Sequence, residues 1–103
     1  MKLIKELEEM IEDEVDDIKH YAKSAIELKE AHPALAQVLY TISTQEDSHQ
    51  AALHAEVVKL IEEYKRTHGN PPEAMMAVYE YIHQKHIEHL AEAHRYQDIF
   101  KSH

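Results

Sequence analysis

The sequence predicts an all-α fold of three long helices, joined by short turns into an antiparallel up-down-up bundle. Composition and the placement of the helix breakers support this prediction. The 103 residues include one Gly and three Pro, while Ala, Leu, Ile, Glu, Lys and Gln are frequent, and these six residue types favour helix. The breakers fall at two places, so the chain divides into three segments, and short connections make neighbouring helices antiparallel.

Two turns separate the predicted helices. AHP ends the first helix, because His32 precedes a proline and Pro33 fits the opening turn of a new helix. THGNPP forms the second turn, in which Gly69 suits a left-handed cap, Asn70 an N-cap and Pro71 the first helical position. The predicted helices span about residues 2–30, 33–67 and 71–100 of a single domain, residues 1–103.

Charge and residue usage restrict the partners that we expect. There are 11 basic and 20 acidic residues and the net charge is -9, which argues against nucleic acid or an anionic membrane and favours cations. The absence of Cys excludes disulfides and thiolate metal sites. No apolar run approaches the roughly 18 residues of a membrane span, and the N-terminus lacks the pattern of a signal peptide. We therefore expect a soluble, cytoplasmic protein.

Each predicted helix carries an apolar stripe that is interrupted near its middle by charged or titratable residues. At about 100° per residue, Glu14 projects within roughly 30° of the centre of the first stripe. Glu46 lies near the middle of the second stripe, with His49 one turn further on. His86 and His89 interrupt the third. The stripes that we expect to be buried include Leu3 and Met10 on helix 1 and Leu35 and Val38 on helix 2.

Distance along the helices places the interrupting residues in one layer of the bundle. Glu14, Glu46 and His49 all lie roughly 20–25 Å from the first turn, at about 1.5 Å per residue. Counted from the second turn, His89 reaches the same height as His49, and His86 is one turn away. All five side chains are therefore candidate metal ligands.

A second Glu-x-x-His pair, Glu80 and His83, lies about two helical turns from this layer. Glu80 also projects away from the apolar face. We do not include this pair among the predicted ligands.

Buried carboxylates cost several kcal/mol unless they are paired, protonated or bound to metal. No Lys or Arg occupies a matching inward position. Hydrogen bonds between Glu14 and His49 and between Glu46 and His89, which the imidazoles would donate, would satisfy a core without metal. A divalent transition metal, which accepts carboxylate oxygen and imidazole nitrogen together, is the sharper explanation.

A Glu on the first helix, followed by Glu46-x-x-His49 within STQEDSHQAALHAEV on the second, resembles the metal-binding half of ferritin-like proteins, including rubrerythrins. The resemblance covers about two-thirds of the chain. It implies a di-iron site with Glu46 bridging and His49 terminal, which oxidises ferrous iron with oxygen or peroxide. Ferritin-like bundles usually have four helices and two half-sites, so a second copy of this chain would supply Glu14, Glu46 and His49 again, most simply in a homodimer.

Several alternatives remain open at the level of sequence. A mononuclear site with a helix 3 histidine would suit zinc, manganese or iron. Asp17, Tyr21 and Glu56 border the predicted site and are candidates to hold its ligands in place by hydrogen bonds. No catalytic residue is identified. The rival function is a non-enzymatic helical assembly or adaptor protein, in which the polar seam residues fix helix packing without metal.

Overall fold

The computed structural model describes residues 2–102 and consists of three α-helices. This confirms the predicted all-α class, and every helix bound lies within two residues of its predicted position. The described part of the chain contains no strand. None of its helices combines the length and the apolar character that a membrane crossing requires. The helices are α1 (Lys2–Leu28), α2 (Pro33–His68) and α3 (Glu73–Ser102).

The first turn and the end of α2 have the conformations that their breakers predict. His32 has φ -139°, outside the helical region, and its carbonyl accepts the first hydrogen bond of α2 from the Ala36 N–H at 2.9 Å. Gly69 has φ 76°, and its N–H donates to the carbonyl of Lys65 at 2.9 Å. A side chain would be strained at this φ, so glycine is the residue that permits the cap.

The start of α3 differs from the prediction. We predicted Asn70 as the N-cap and Pro71 as the first helical residue, but α3 begins at Glu73. The Met76 N–H donates to the carbonyl of Pro72 at 3.0 Å. The physical reason is that a residue before a proline avoids the helical region, so Pro72 delays the helix by keeping Pro71 out of it.

The central helix of the bundle is α1, which packs closely against both neighbours, whereas α2 and α3 approach each other less closely. The molecule is a rod of 55 × 19 × 18 Å. Buried residues of α2 recur every seven positions, the spacing at which helices twist around each other with interlocking side chains. The core has one cluster of Ile4, Ile11, Val15 and Val57 and a second of Ala25, Ala36 and Phe100.

Side-chain contacts along the bundle hold α3 against α2. Phe100 stacks on Tyr40 with ring centroids 4.7 Å apart. Gln97 Nε2 donates to Ser43 Oγ at 3.2 Å in the buried interior. These contacts hold α3 on one side of α2. The side of α2 that faces away from α3 is therefore not covered by this helix.

The structure leaves exposed four large apolar residues that we predicted to be buried. Leu3, Met10, Leu35 and Val38 are each about half exposed. By helical projection, Leu3 and Met10 lie within about 40° of Glu14 around α1, and Leu35 lies about 20° from Glu46 around α2. About half of each of these side chains is open to solvent. This correction matters for the site, because the same seam carries the predicted metal ligands.

Candidate metal centre

Glu14 of α1 and Glu46 and His49 of α2 come together at the α1–α2 seam. Each offers one ligand atom, and the three atoms lie within 4.8 Å of one another. His49 Nδ1 is 3.7 Å from Glu14 Oε2 and 3.8 Å from Glu46 Oε1, too far for hydrogen bonds. Two donor atoms at about 2.0–2.2 Å from one ion are separated by no more than about 4.4 Å. The spacing of these three side chains therefore suits a shared metal ion after small rotations.

The chemistry of the donor set also fits a cation. Glu14 Oε2 is buried and has no hydrogen-bond partner within residues 2–102. A buried carboxylate oxygen without a partner is costly, and the cost is removed when a cation binds it. His49 has a side chain that is 59% exposed, so the group opens to the surface at the imidazole. The Glu/Glu/His group could therefore hold a metal that arrives from solvent.

The carboxylates of the candidate metal group lie close together, and their proximity raises the pKa of two of the acidic residues at the seam. The pKa of Glu14 is raised from its ordinary value of 4.5 to about 7. The largest cause is a hydrogen bond to Glu46 that Glu14 can donate only when it is protonated. Burial and repulsion from the Glu46 charge raise the pKa further, and His49 lowers it. The pKa of Asp17 is also raised, first by burial and then by the charge of Glu46. The seam therefore concentrates negative charge that a divalent cation would neutralise.

The raised pKa of Glu14 predicts a pH-dependent stability of the metal-free protein. Because the folded protein holds this proton more tightly than the unfolded chain, the stabilisation is full below about pH 4.5 and is lost as the pH rises through about 7. We expect wild type to lose on the order of 1–3 kcal/mol relative to Glu14→Gln between pH 5 and pH 8. Urea unfolding in the presence of a chelator measures this difference, and parallel pH profiles for the two proteins would contradict it.

The structure does not bring His86 to this group. Its Nδ1 lies 3.0 Å from Glu8 Oε2, and both side chains are about nine-tenths buried. The contact lacks the geometry of a hydrogen bond, since Glu8 Oε2 has no such partner among the described residues. Glu8 and Lys19, the α1 residues that pair with α3, lie about 120–140° around the helix from Glu14. The height of His86 along the bundle was predicted, but height does not show from which side of α1 the α3 helix approaches.

His89 is also placed away from the three ligands. It is exposed and lies in a groove beside α1 with Asp16, Lys19 and Glu92. The predicted hydrogen bond between Glu46 and His89, which would satisfy a core without metal, is not among the contacts of the described chain. Within one copy of the protein, the group consists of Glu14, Glu46 and His49.

The three residues that we predicted as neighbours of the site differ in position. Asp17 is exposed at the rim, close enough to Glu46 for the two charges to interact. Tyr21 is half-buried, with its ring 6.0 Å from that of His20. Glu56 is exposed and its Oε1 accepts a hydrogen bond from Lys59 Nζ at 3.1 Å. Of these three residues, Asp17 is therefore the one whose charge interacts with the Glu14, Glu46 and His49 group.

Two carboxylates outside the predicted site, Glu8 and Asp47, contact histidines of α3. Glu8 follows Ile4 by one turn and precedes Ile11, so the spacing of the buried residues was the signal that could have found it. Asp47 Oδ2 lies 2.8 Å from His94 Nε2. No periodic pattern of buried residues marks Asp47, so the sequence carries no signal for this contact.

Comparison of the chain with protein-family models, with curated proteins and with solved structures found no match. The function is therefore argued from the geometry of the site.

Proposed function

We propose that this protein is a ferritin-like metal-binding protein that holds iron through Glu14, Glu46 and His49. The observation that carries the proposal is the convergence of two carboxylates and one imidazole from two helices within 4.8 Å. Carboxylate and imidazole ligands suit iron, manganese and zinc. The net charge of -9 attracts such cations to the surface.

The course of the chain supports the same proposal. Contacts pair α1 with α2 in opposite order: Leu3 lies in a groove with Leu60 and Tyr64, whereas Glu14, further along α1, lies near His49, earlier in α2. This order is that of an antiparallel helical hairpin. An up-down-up bundle of this kind is the scaffold on which the Glu and Glu-x-x-His pattern meets.

A second copy of the chain completes the proposed site. Leu3 precedes Glu14 by eleven residues, and Leu35 precedes Glu46 by the same number, which is three helical turns plus about 20°. These half-exposed apolar side chains therefore share the direction of the ligands. Val38 likewise precedes His49 by eleven residues and shares its direction around α2. An apolar stripe that runs past an incomplete metal group is the surface expected to pair across a two-fold axis.

Pairing doubles the donor set to four carboxylates and two imidazoles. A Glu from each of two helices and a Glu-x-x-His from each of two others is the set that holds two irons in ferritin-like bundles. By that resemblance, Glu46 bridges the ions and His49 is terminal. Ferrous iron is the proposed substrate: two Fe²⁺ give one electron each to O₂, which takes up two protons and leaves as hydrogen peroxide. The enzymatic class is a ferroxidase-type oxidoreductase.

Metal content of the untagged protein grown with iron tests the proposal. We expect plasma mass spectrometry to find about one iron per chain in wild type and none in a Glu46→Ala, His49→Ala variant. Iron at 100 times its dissociation constant should stabilise wild type by about 2.7 kcal/mol. The matched control is Glu9→Ala, His20→Ala, which removes an exposed Glu and an exposed His from α1. Equal iron in all three proteins would contradict the proposal.

The exposed stripe also favours one alternative, a non-enzymatic assembly or adaptor protein whose polar seam residues set helix register. The same Leu3, Met10, Leu35 and Val38 side chains would then contact a partner without metal. Absence of bound iron, zinc and manganese, with thermal stability unchanged by adding each ion, is the result that selects this alternative. Zinc or manganese in place of iron would keep the metal site and exclude the ferroxidase reaction.

A further inference from the structure

His54 of α2 and His83 of α3 face each other across the α2–α3 seam. Their ring centroids are 5.1 Å apart and the ring planes differ by 11°. Both side chains line a cavity of about 220 Å³, together with Glu8 and Glu80. The proposed iron site uses none of these residues, so the pair requires its own explanation.

The spacing of the two imidazoles is close to that of two ligands of one ion. Zinc binds imidazole nitrogen at about 2.0–2.1 Å, which holds the centroids of two rings on a tetrahedral ion roughly 5 Å apart. The rings of His54 and His83 therefore need to turn but not to separate. Glu80 precedes His83 by three residues and shares its helix face, and Glu8 presents a buried carboxylate from α1 to the same cavity.

We infer that His54 and His83 form a second site for a divalent transition-metal ion, with Glu80 and water as its remaining ligands. His54 follows His49 by five residues, about 140° around α2 and about 7.5 Å along it, so the two sites open on different faces of that helix. Only Glu14, Glu46 and His49 already place three donor atoms within 4.8 Å in the described chain. The second site therefore binds its ion more weakly than the first and exchanges it with solvent.

Zinc titration of the full chain carrying Glu46→Ala and His49→Ala isolates this second site. We expect calorimetry at pH 7.5 to find about one zinc per chain in that protein. Adding His83→Phe preserves an aromatic ring for stacking but removes both ring nitrogens. Loss of a ligand should cost at least the roughly tenfold in affinity that loss of a supporting hydrogen bond costs. The matched control is His68→Phe, because His68 also stacks on an aromatic ring, that of Tyr64 at 4.8 Å.

A variant on the opposite helix provides an independent test. His54→Phe in the same background should reduce zinc affinity as much as His83→Phe, and the two variants lie on different helices, so a local folding defect in one leaves the other informative. Circular dichroism checks the helix content of each. No zinc in the starting variant, or unchanged affinity after either Phe substitution, would overturn the second site. Neither result would bear on the iron site, because two of its three proposed ligands, Glu46 and His49, are already removed.

Discussion

Val38→Glu is expected to convert the proposed dimer to a monomer and to stop the proposed iron oxidation, although Glu14, Glu46 and His49 all remain. Val38 is 54% exposed, and it precedes His49 by three helical turns plus about 20°. In the proposed pair, the new carboxylates would be buried without partners against an apolar surface. We expect association to weaken at least about 100-fold, or about 2.8 kcal/mol.

Sedimentation velocity at micromolar concentration measures the mass, and oxygen consumption with ferrous iron measures the reaction. Val78→Glu is the matched control, because Val78 has the same 54% exposure but lies on α3. It should leave mass and oxygen consumption unchanged. Normal oxidation by monomeric Val38→Glu would show that one chain suffices for the reaction. Persistence of the dimer would place the interface elsewhere.

His86→Leu is expected to destabilise the fold by about 3–5 kcal/mol. The substitution leaves the Glu8 carboxylate buried beside α3 without the imidazole that now lies 3.0 Å away. Removing one partner of a buried pair has this large cost, whereas replacing both partners by apolar residues is often neutral or stabilising. The double variant Glu8→Leu, His86→Leu should therefore recover most of the lost stability.

Urea unfolding of wild type, both single variants and the double variant measures the coupling between the two residues. The control is Glu92→Gln, which breaks the ion pair with Lys19 at 2.9 Å, where the two side chains are 41% and 42% exposed. An exposed pair of this kind contributes little to stability, because solvent screens the two charges. If His86→Leu costs no more than Glu92→Gln, the Glu8–His86 contact does not stabilise the native state.

The sequence was sufficient to predict the helices and the level of the site along the bundle. Both depend on local information: prolines and one glycine end the helices, and the rise per residue sets the height of each side chain. Glu46 and His49 are separated by three residues on one helix, so their proximity follows directly. Glu14 was predicted by its height, counted from the turn at Pro33.

The direction of each side chain around its helix was less predictable. Including Leu3 and Met10 in the buried stripe moved its predicted centre toward Glu14. In the structure, the buried residues Ile4 and Val15 lie about 80–100° from that side chain. The hydrophobicity of a leucine does not show whether the residue is buried. Burial depends on whether a neighbouring helix packs against that side chain. For the same reason, the predicted height of His86 did not show that its side chain contacts Glu8 rather than Glu14 or Glu46.

All three candidate ligands come from two consecutive helices, α1 and α2, which are joined by one short turn. The polar pairs that link α1 to α3 lie about 120–140° away around α1. Substitutions on the outer face of α3 therefore leave the ligands where they are. During synthesis, all three candidate ligands have been added to the chain once residue 49 is incorporated, before the first residue of α3, Glu73. The candidate metal group therefore belongs to α1 and α2 alone. Substitutions in α3 can change other properties of the protein without altering that group.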